Sequence, residues 1–190
     1  GAEIASGNPA AVRAADVVVL AVKPQMAATV VPDLTPAWGP DKLLISILAG
    51  KPSARLEAML PGGARVVRAM PNQPIRVRCG MTALCRGRHA TEEDMASARR
   101  LFDAGGKTVE VREEMLDAVT AISGSGPAYF YFLVEVLIEA GIREGLAPEV
   151  AKTLAVQTAH GAAEVMAAEY HVPPEEHRRR VTSKGGTTEA

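Results

Sequence analysis

The stretch "TSKGGTTEA", Thr182 to Ala190, holds four hydroxyl side chains, two adjacent glycines and a lysine, with almost nothing apolar. Successive backbone N–H groups in a Gly-Gly turn can converge on an anion, because glycine adopts the positive φ that such a nest needs. Gly185 and Gly186 supply the turn, and Ser183 and Thr188 add hydroxyl donors. The other reading is a frayed polar terminus, the commoner meaning of such a stretch at a chain end. A second glycine-rich stretch, "ISGSGPAY", puts Ser125 and Gly126 just before Pro127. Serine as cap and proline as first residue open a helix, whose N-terminus favours electron-rich groups. The alternative is a plain glycine-rich break between two helices. Cys85 and His89 stand four residues apart and can in principle share a metal, but no second ligand pair accompanies them. Two ordinary thiols and no metal are expected.

These residues need a scaffold, and the totals bound it. The chain has 190 residues, a formal net charge of −1 and 47% hydrophobic residues, enough for one large domain or two small ones. Near-neutral charge argues against a protein that lives on nucleic acid or anionic membrane. Two cysteines cannot build a disulfide framework, so a reducing cytoplasm is expected. No basic, apolar, small-residue signal opens the chain. The apolar run "AYFYFLV" is short and is followed by Glu135 and Glu139. A spanning helix needs ~20 mostly apolar residues, so a soluble protein without a membrane partner is expected.

Hydrophobic patterning divides the chain near Glu114. Before it, strands and helices alternate. Asp16 to Val22 reads as a fully buried parallel strand, and a helix follows from Pro24 to about Leu34. Lys42 to Leu48 is a strand, followed by a helix from Pro52-Ser53 to about Leu60. Arg65 to Ala69, "GMTALCRG" and "KTVEV" supply three more strands. Thr91 with Asp94 three residues later resembles a capping arrangement, predicting a helix to Ala104. Such alternation predicts a parallel sheet with helices on both faces, and ligands then bind at the carboxyl ends of the strands. Those ends are "AVKPQ", "ILAG" and "AMPNQP". After Met115 only helices are expected. One runs from Pro127 to about Glu144, apolar almost all round (Tyr129, Phe130, Phe132, Leu133, Val136, Leu137, Ala140), which predicts that a partner chain covers part of it. The next, Pro148 to about Tyr170, carries Ala151, Ala155, Ala159, Ala162 and Ala163 and is slim enough for close packing.

Five motifs now stand in order: "AVKPQ", "MPNQP", "GMTALC", "ISGSGPAY" and "TSKGGTT". Each alone is weak, but in this order and spacing they resemble the pyrroline-5-carboxylate reductase family over essentially the whole chain. The resemblance implies an α/β Rossmann-like parallel-sheet domain, residues 1–114, followed by an all-α dimerisation and substrate-binding domain, residues 115–190. It implies hydride transfer from NADPH or NADH to the C=N carbon of 1-pyrroline-5-carboxylate, giving proline in the last step of proline biosynthesis. NADPH is the coenzyme expected from family habit. The expected assembly is a homodimer, with a higher oligomer open.

Three departures accompany the likeness. The family opens with a GxGxMG loop that cradles the coenzyme pyrophosphate, and "GAEIASGNP" begins after it, so the chain is expected to be part of a longer protein. Gln73 stands where the family usually has threonine, and Lys184 where it usually has proline.

The resemblance also suggests roles. Ser183, Gly185, Gly186, Thr187 and Thr188 would hold the substrate carboxylate. The Thr188 hydroxyl would lie near the imine nitrogen as the catalytic group, relaying a proton through water. Glu169 falls where the family has a glutamate near the substrate pocket; otherwise it is a solvated helix-end carboxylate. Ala21, Val22, Lys23 and Pro24 would line the coenzyme, with Lys23 at a phosphate or ribose, or simply solvated. Ile47, Leu48 and Ala49 would admit the nicotinamide ribose, or merely turn the chain. Asn72 would bond the nicotinamide carboxamide, or only cap a turn between two prolines. Ser125 and Gly126 would border the nicotinamide. "HRRR" is a solvated face or an approach to coenzyme phosphate. Two rivals remain: a reductase-like dimer impaired by lack of the glycine loop, and a β-hydroxyacid dehydrogenase. The latter needs a lysine on the first long helix of its second domain, and Ala128 to Glu144 contains none.

Overall fold

The computed structural model describes residues 1–183 and 186; Lys184, Gly185 and residues 187–190 lie outside the description. The chain forms two compact units, Gly1–Pro127 and Ala128–Ala190. The boundary expected near Glu114 from the patterning and this compact division are separated by a run of helical turns.

In the first unit, helix α1 (Asn8–Arg13) precedes strand β1 (Val17–Leu20). A 3-10 turn at Pro24–Met26 leads into α2 (Ala27–Leu34), and β2 (Leu43–Ser46) follows. Then come α3 (Ser53–Glu57), β3 (Arg65–Met70), β4 (Gly80–Arg86), α4 (Glu92–Asp103) and β5 (Gly106–Glu110). Among the described residues the five strands lie in sequence order in one sheet. Strands β1, β2 and β3 are mutually parallel, as are β4 and β5, but β4 runs antiparallel to β3. The expected all-parallel sheet is therefore corrected to a mixed, mostly parallel one. Residues 71–79 hold only a short 3-10 turn, Gln73–Val77, less than the dozen or so residues a parallel return requires.

Alternation along the strands sorts the core onto two faces. Leu43, Ile45, Val67, Ala69 and Leu84 meet Met95, Ala98 and Phe102 of α4. Leu20, Leu44 and Val66 face the other way, against Val12, Ala27, Val31, Leu34 and Leu56. Ala83 and Cys85 share that second face with Leu116 and the half-buried Met70 and Val119. β1 is not fully buried as expected: Val17 and Val19 are 40% and 44% exposed. β1 is an edge strand, and α4 packs on β3, β4 and β5. The capping box before α4 is present in full, since Thr91 Oγ1 accepts from the Asp94 N–H and Asp94 Oδ2 accepts from the Thr91 N–H.

The chain then turns helical from Glu113 onward. A 3-10 turn (Glu113–Met115), helix α5 (Leu116–Val119), a π-helical turn (Thr120–Gly124) and α6 (Gly126–Arg143) follow without a break. Ser125 is in the helical region, φ −86° and ψ −19°, and its N–H donates to the Thr120 carbonyl at 2.8 Å. α6 begins within one residue of the expected Pro127, but the expected capping by Ser125 is corrected: the serine has helical backbone and continues the preceding turn. The argument from the short run "AYFYFLV" is corrected too. Glu113–Arg143 is long and apolar enough, by length and composition, to cross a membrane, because the helix continues through its glutamates.

In the second unit, α6 is followed by α7 (Pro148–Ala168) and α8 (Pro174–Arg180). Of the five small residues expected to admit a close neighbour, Ala162 and Ala163 are exposed and Ala159 is half-buried. Ala151 and Ala155 are buried, and a Cβ on Gly141 would sit 3.2 Å from that of Ala151. Tyr129, Phe130, Phe132 and Leu133 are more than half exposed within the single chain. Their burial, expected on every side of α6, is not provided by this chain alone.

Candidate functional site

Three parallel neighbours, β1, β2 and β3, bring their carboxyl ends to one edge of the sheet. After β1, Ala21 and Lys23 are exposed while Val22 packs into the core and Pro24 opens the 3-10 turn. Among the described residues the Lys23 ammonium has no hydrogen-bond or ion-pair partner. After β2, the buried Ser46 hydroxyl accepts from the Leu48 N–H at 3.3 Å and tethers the turn. The same turn receives a bond from the Ile47 N–H to the Leu20 carbonyl, 3.2 Å. Leu48 is core and Ile47 is half-buried against the α4 side. Their side chains shape this turn from behind, and Ala49 and Gly50 form its exposed surface, Gly50 with φ +65°. Only a residue tolerant of positive φ can end the turn this way.

The loop after β3 meets two other motifs. Asn72 Oδ1 accepts from the Met81 N–H at 2.9 Å, and Asn72 Nδ2 donates to the Ser123 carbonyl at 3.2 Å. A Cβ on Gly124 would lie 2.6 Å from the Met70 methyl, so the helical path runs close against the end of β3 here. "MPNQP", "GMTALC" and "ISGSGP" are therefore one assembly. Ser125 is exposed and Gly126 buried beside it.

A charged network, not anticipated from the sequence, braces this region. Arg68 lies in the middle of β3 with its side chain 8% exposed. Its Nη1 donates to Glu113 Oε1 at 2.8 Å. The same carboxylate accepts from the Ser53 N–H and hydroxyl, each at 2.6 Å. Glu113 thus caps α3, the helix that follows the "ILAG" turn. Burial pushes its carboxyl up, but the bonds from Ser53 and Arg68 outweigh this and hold it below the ordinary carboxylate range. The signal in the sequence was Arg68 itself, a cation in an apolar strand that demands a partner.

In the second unit, Glu169 ends α7 and accepts from Arg180 Nη1 at 2.8 Å, with His177 Nδ1 at 4.0 Å. The "HRRR" residues are thus partly engaged, since Arg179 and Arg180 also pair with Glu176. Glu169 is held beside the helix that leads into Ser183. The Gly186 N–H donates to the Ser183 carbonyl at 2.9 Å, forming a turn. A Cβ on Gly186 would clash with Ser183 Oγ at 2.3 Å. Gly185, Thr187 and Thr188 lie outside the described residues. No cluster of metal ligands occurs among the described residues.

Residues 113–190 match the family model described as pyrroline-5-carboxylate reductase dimerisation, and residues 1–50 match NADP oxidoreductase, coenzyme F420-dependent. A pyrroline-5-carboxylate reductase of Pseudomonas aeruginosa is 46% identical over 189 residues, covering 99% of this chain and 69% of that protein. The chain belongs to the pyrroline-5-carboxylate reductase family. The Methanosarcina acetivorans reductase is 41% identical over 188 residues, again 99% of this chain and 69% of its own length. The structure of Plasmodium falciparum pyrroline carboxylate reductase with NADP bound superposes with a TM-score of 0.89 at 36% identity, covering 97% of this chain and 70% of that one. The dimerisation model spans the exposed aromatic face of α6, which accounts for apolar side chains that the single chain leaves uncovered.

Proposed function

We propose that this chain reduces 1-pyrroline-5-carboxylate to proline with NADPH or NADH, as a homodimer in the cytoplasm. The observation that carries the reading is family membership at 46% identity across nearly the whole chain, together with the gathering of three family motifs at the end of β3. Two free thiols suit a reducing compartment.

The residues present fit a dinucleotide at the strand ends. Lys23 is an exposed cation without a partner among the described residues at the mouth of β1, suited to a phosphate or ribose oxygen. Ala49 and Gly50 leave backbone open to close approach. When bound, the coenzyme supplies a hydride. The chain must do the rest: hold the substrate carboxylate, aim the imine carbon and let a proton reach the ring nitrogen. Ser183, Gly185, Gly186, Thr187 and Thr188 are assigned the carboxylate, with N–H and hydroxyl donors suited to an anion. Glu169, bonded by Arg180, takes the electropositive imine side of the ring. Thr188 orders a water that delivers the proton, since a hydroxyl is too weak an acid to donate outright at neutral pH.

The test is direct. Purified protein with NADPH and 1-pyrroline-5-carboxylate should lose nicotinamide absorbance and accumulate proline in equal amounts. Absence of turnover with both coenzymes would refute the reading.

A further inference from the structure

Pro127 sets the geometry at the end of β3. It has no N–H, and its ring crowds the carbonyl four residues earlier, that of Ser123. The chain responds with a π-helical turn at Thr120–Gly124, a device that helices use where a register must shift. The Ser123 carbonyl, denied a donor by Pro127, accepts instead from Asn72 Nδ2 at 3.2 Å, and Ser123 Oγ lies 3.4 Å from the same nitrogen. The opposite end of the amide, Oδ1, accepts from the Met81 N–H at 2.9 Å. Asn72 has extended backbone, φ −122° and ψ 167°, which turns its side chain across the gap between β4 and the helical path. One amide, with a donor at one end and an acceptor at the other, thus ties three segments that are 9 and 51 residues away in sequence. An ionised acid or an apolar side chain cannot supply both bonds.

We infer that Asn72 is a positioning residue: its amide holds the Ser123–Gly124 turn against the end of β3 and so shapes the wall on which the coenzyme rests. This rests on the reductase reading above. Nδ2 and Oδ1 are each bonded within the protein, and through these bonds the amide acts on the turn.

The charge state of a substituted side chain tests this. In Asn72→Asp, an ionised carboxylate still accepts from Met81 but presents a second oxygen to the Ser123 carbonyl, which repels it. Once protonated, the acid regains a donor there and reproduces the amide's pattern. NADPH affinity measured by calorimetry should fall about tenfold for Asn72→Asp at neutral pH, the effect of losing one partly buried hydrogen bond. Relative to wild type it should recover as the pH falls and the acid protonates. Asn72→Ala should bind about tenfold more weakly at every pH. The coenzyme KM should follow these affinities, while the KM for 1-pyrroline-5-carboxylate stays near wild type. Thr91→Ala, which removes a helix cap on α4, should lose stability yet keep wild-type affinity, separating positioning from general loosening. Wild-type affinity in Asn72→Asp at neutral pH, or an unchanging deficit that matches Asn72→Ala at all pH values, would overturn the inference. Failure of the wild type to turn over would instead overturn the reductase reading, since the binding measurements do not depend on it.

Discussion

Glu113→Ala removes the acceptor shared by Ser53 and Arg68, and its cost follows from the geometry. Arg68 is left with a nearly buried guanidinium, whose Nε already lacks a partner among the described residues. Breaking a buried pair from one side costs about 3–5 kcal/mol. Glu113 is itself 30% exposed, so water reaches the vacated site and the figure must be reduced. The Ser53 N–H and hydroxyl, two part-buried donors, also lose their acceptor, at roughly 1 kcal/mol or more each when unmet. A net loss of about 3 kcal/mol is expected, which lowers Tm by about 6–12 °C in a chain of this size. Trp38 packs against the core of the first unit and is the only tryptophan, so its fluorescence reports unfolding of the relevant unit. Adding Arg68→Met to the Glu113→Ala variant should recover more than half of the loss, because the uncompensated charge goes with it. The pH dependence has a definite sign. Burial raises the carboxyl, the Ser53 and Arg68 bonds lower it further, and the folded value lies below the unfolded one. The contribution of Glu113 is therefore complete above the unfolded value and is lost as pH falls through the folded one, so wild type and variant should converge only once the pH falls below the ordinary glutamate range. A loss under about 0.5 kcal/mol, typical of an idle surface position, would refute the reasoning, as would a failure of Arg68→Met to rescue.

Phe132→Glu places a charge on the exposed aromatic face of α6 and should convert the dimer to monomer by sedimentation, whereas an intact dimer would show that another surface joins the subunits. Thr188→Ala should cut kcat about 100-fold with little change in Tm, as expected for loss of an ordered proton path; unchanged kcat would remove Thr188 from the reaction. Burial, and next the neighbouring Glu113 charge, push the Cys85 thiol up to about 11, while Cys79 is exposed. A disulfide reagent should therefore titrate one thiol per native chain quickly and the second only on unfolding; two fast thiols would contradict the burial of Cys85.

Local chemistry was the most legible part of the fold. Thr91 and Asp94 announce their helix because both partners lie within one turn. The strands were visible as apolar runs, yet their direction was not, since alternation carries no arrow. The shortness of residues 71–79 did carry that information for β4, and a parallel return was assumed against it. Ser125 followed by Gly126 and Pro127 has the composition of a helix start, but a π turn absorbs the proline and the helix runs through. The partner of Arg68 lies 45 residues away, and such separations leave no periodic trace. Within the site, the strand-end loops could be placed from the sequence, while the double engagement of Asn72 could not. It depends on a carbonyl freed by a proline 55 positions further on.

Isotope transfer tests the central claim most directly. NADPH carrying deuterium at its transferable position should yield proline with a single deuterium on the ring carbon that was double-bonded to nitrogen, in step with coenzyme oxidation. Coenzyme oxidised without label in proline, or no proline formed, would contradict the account.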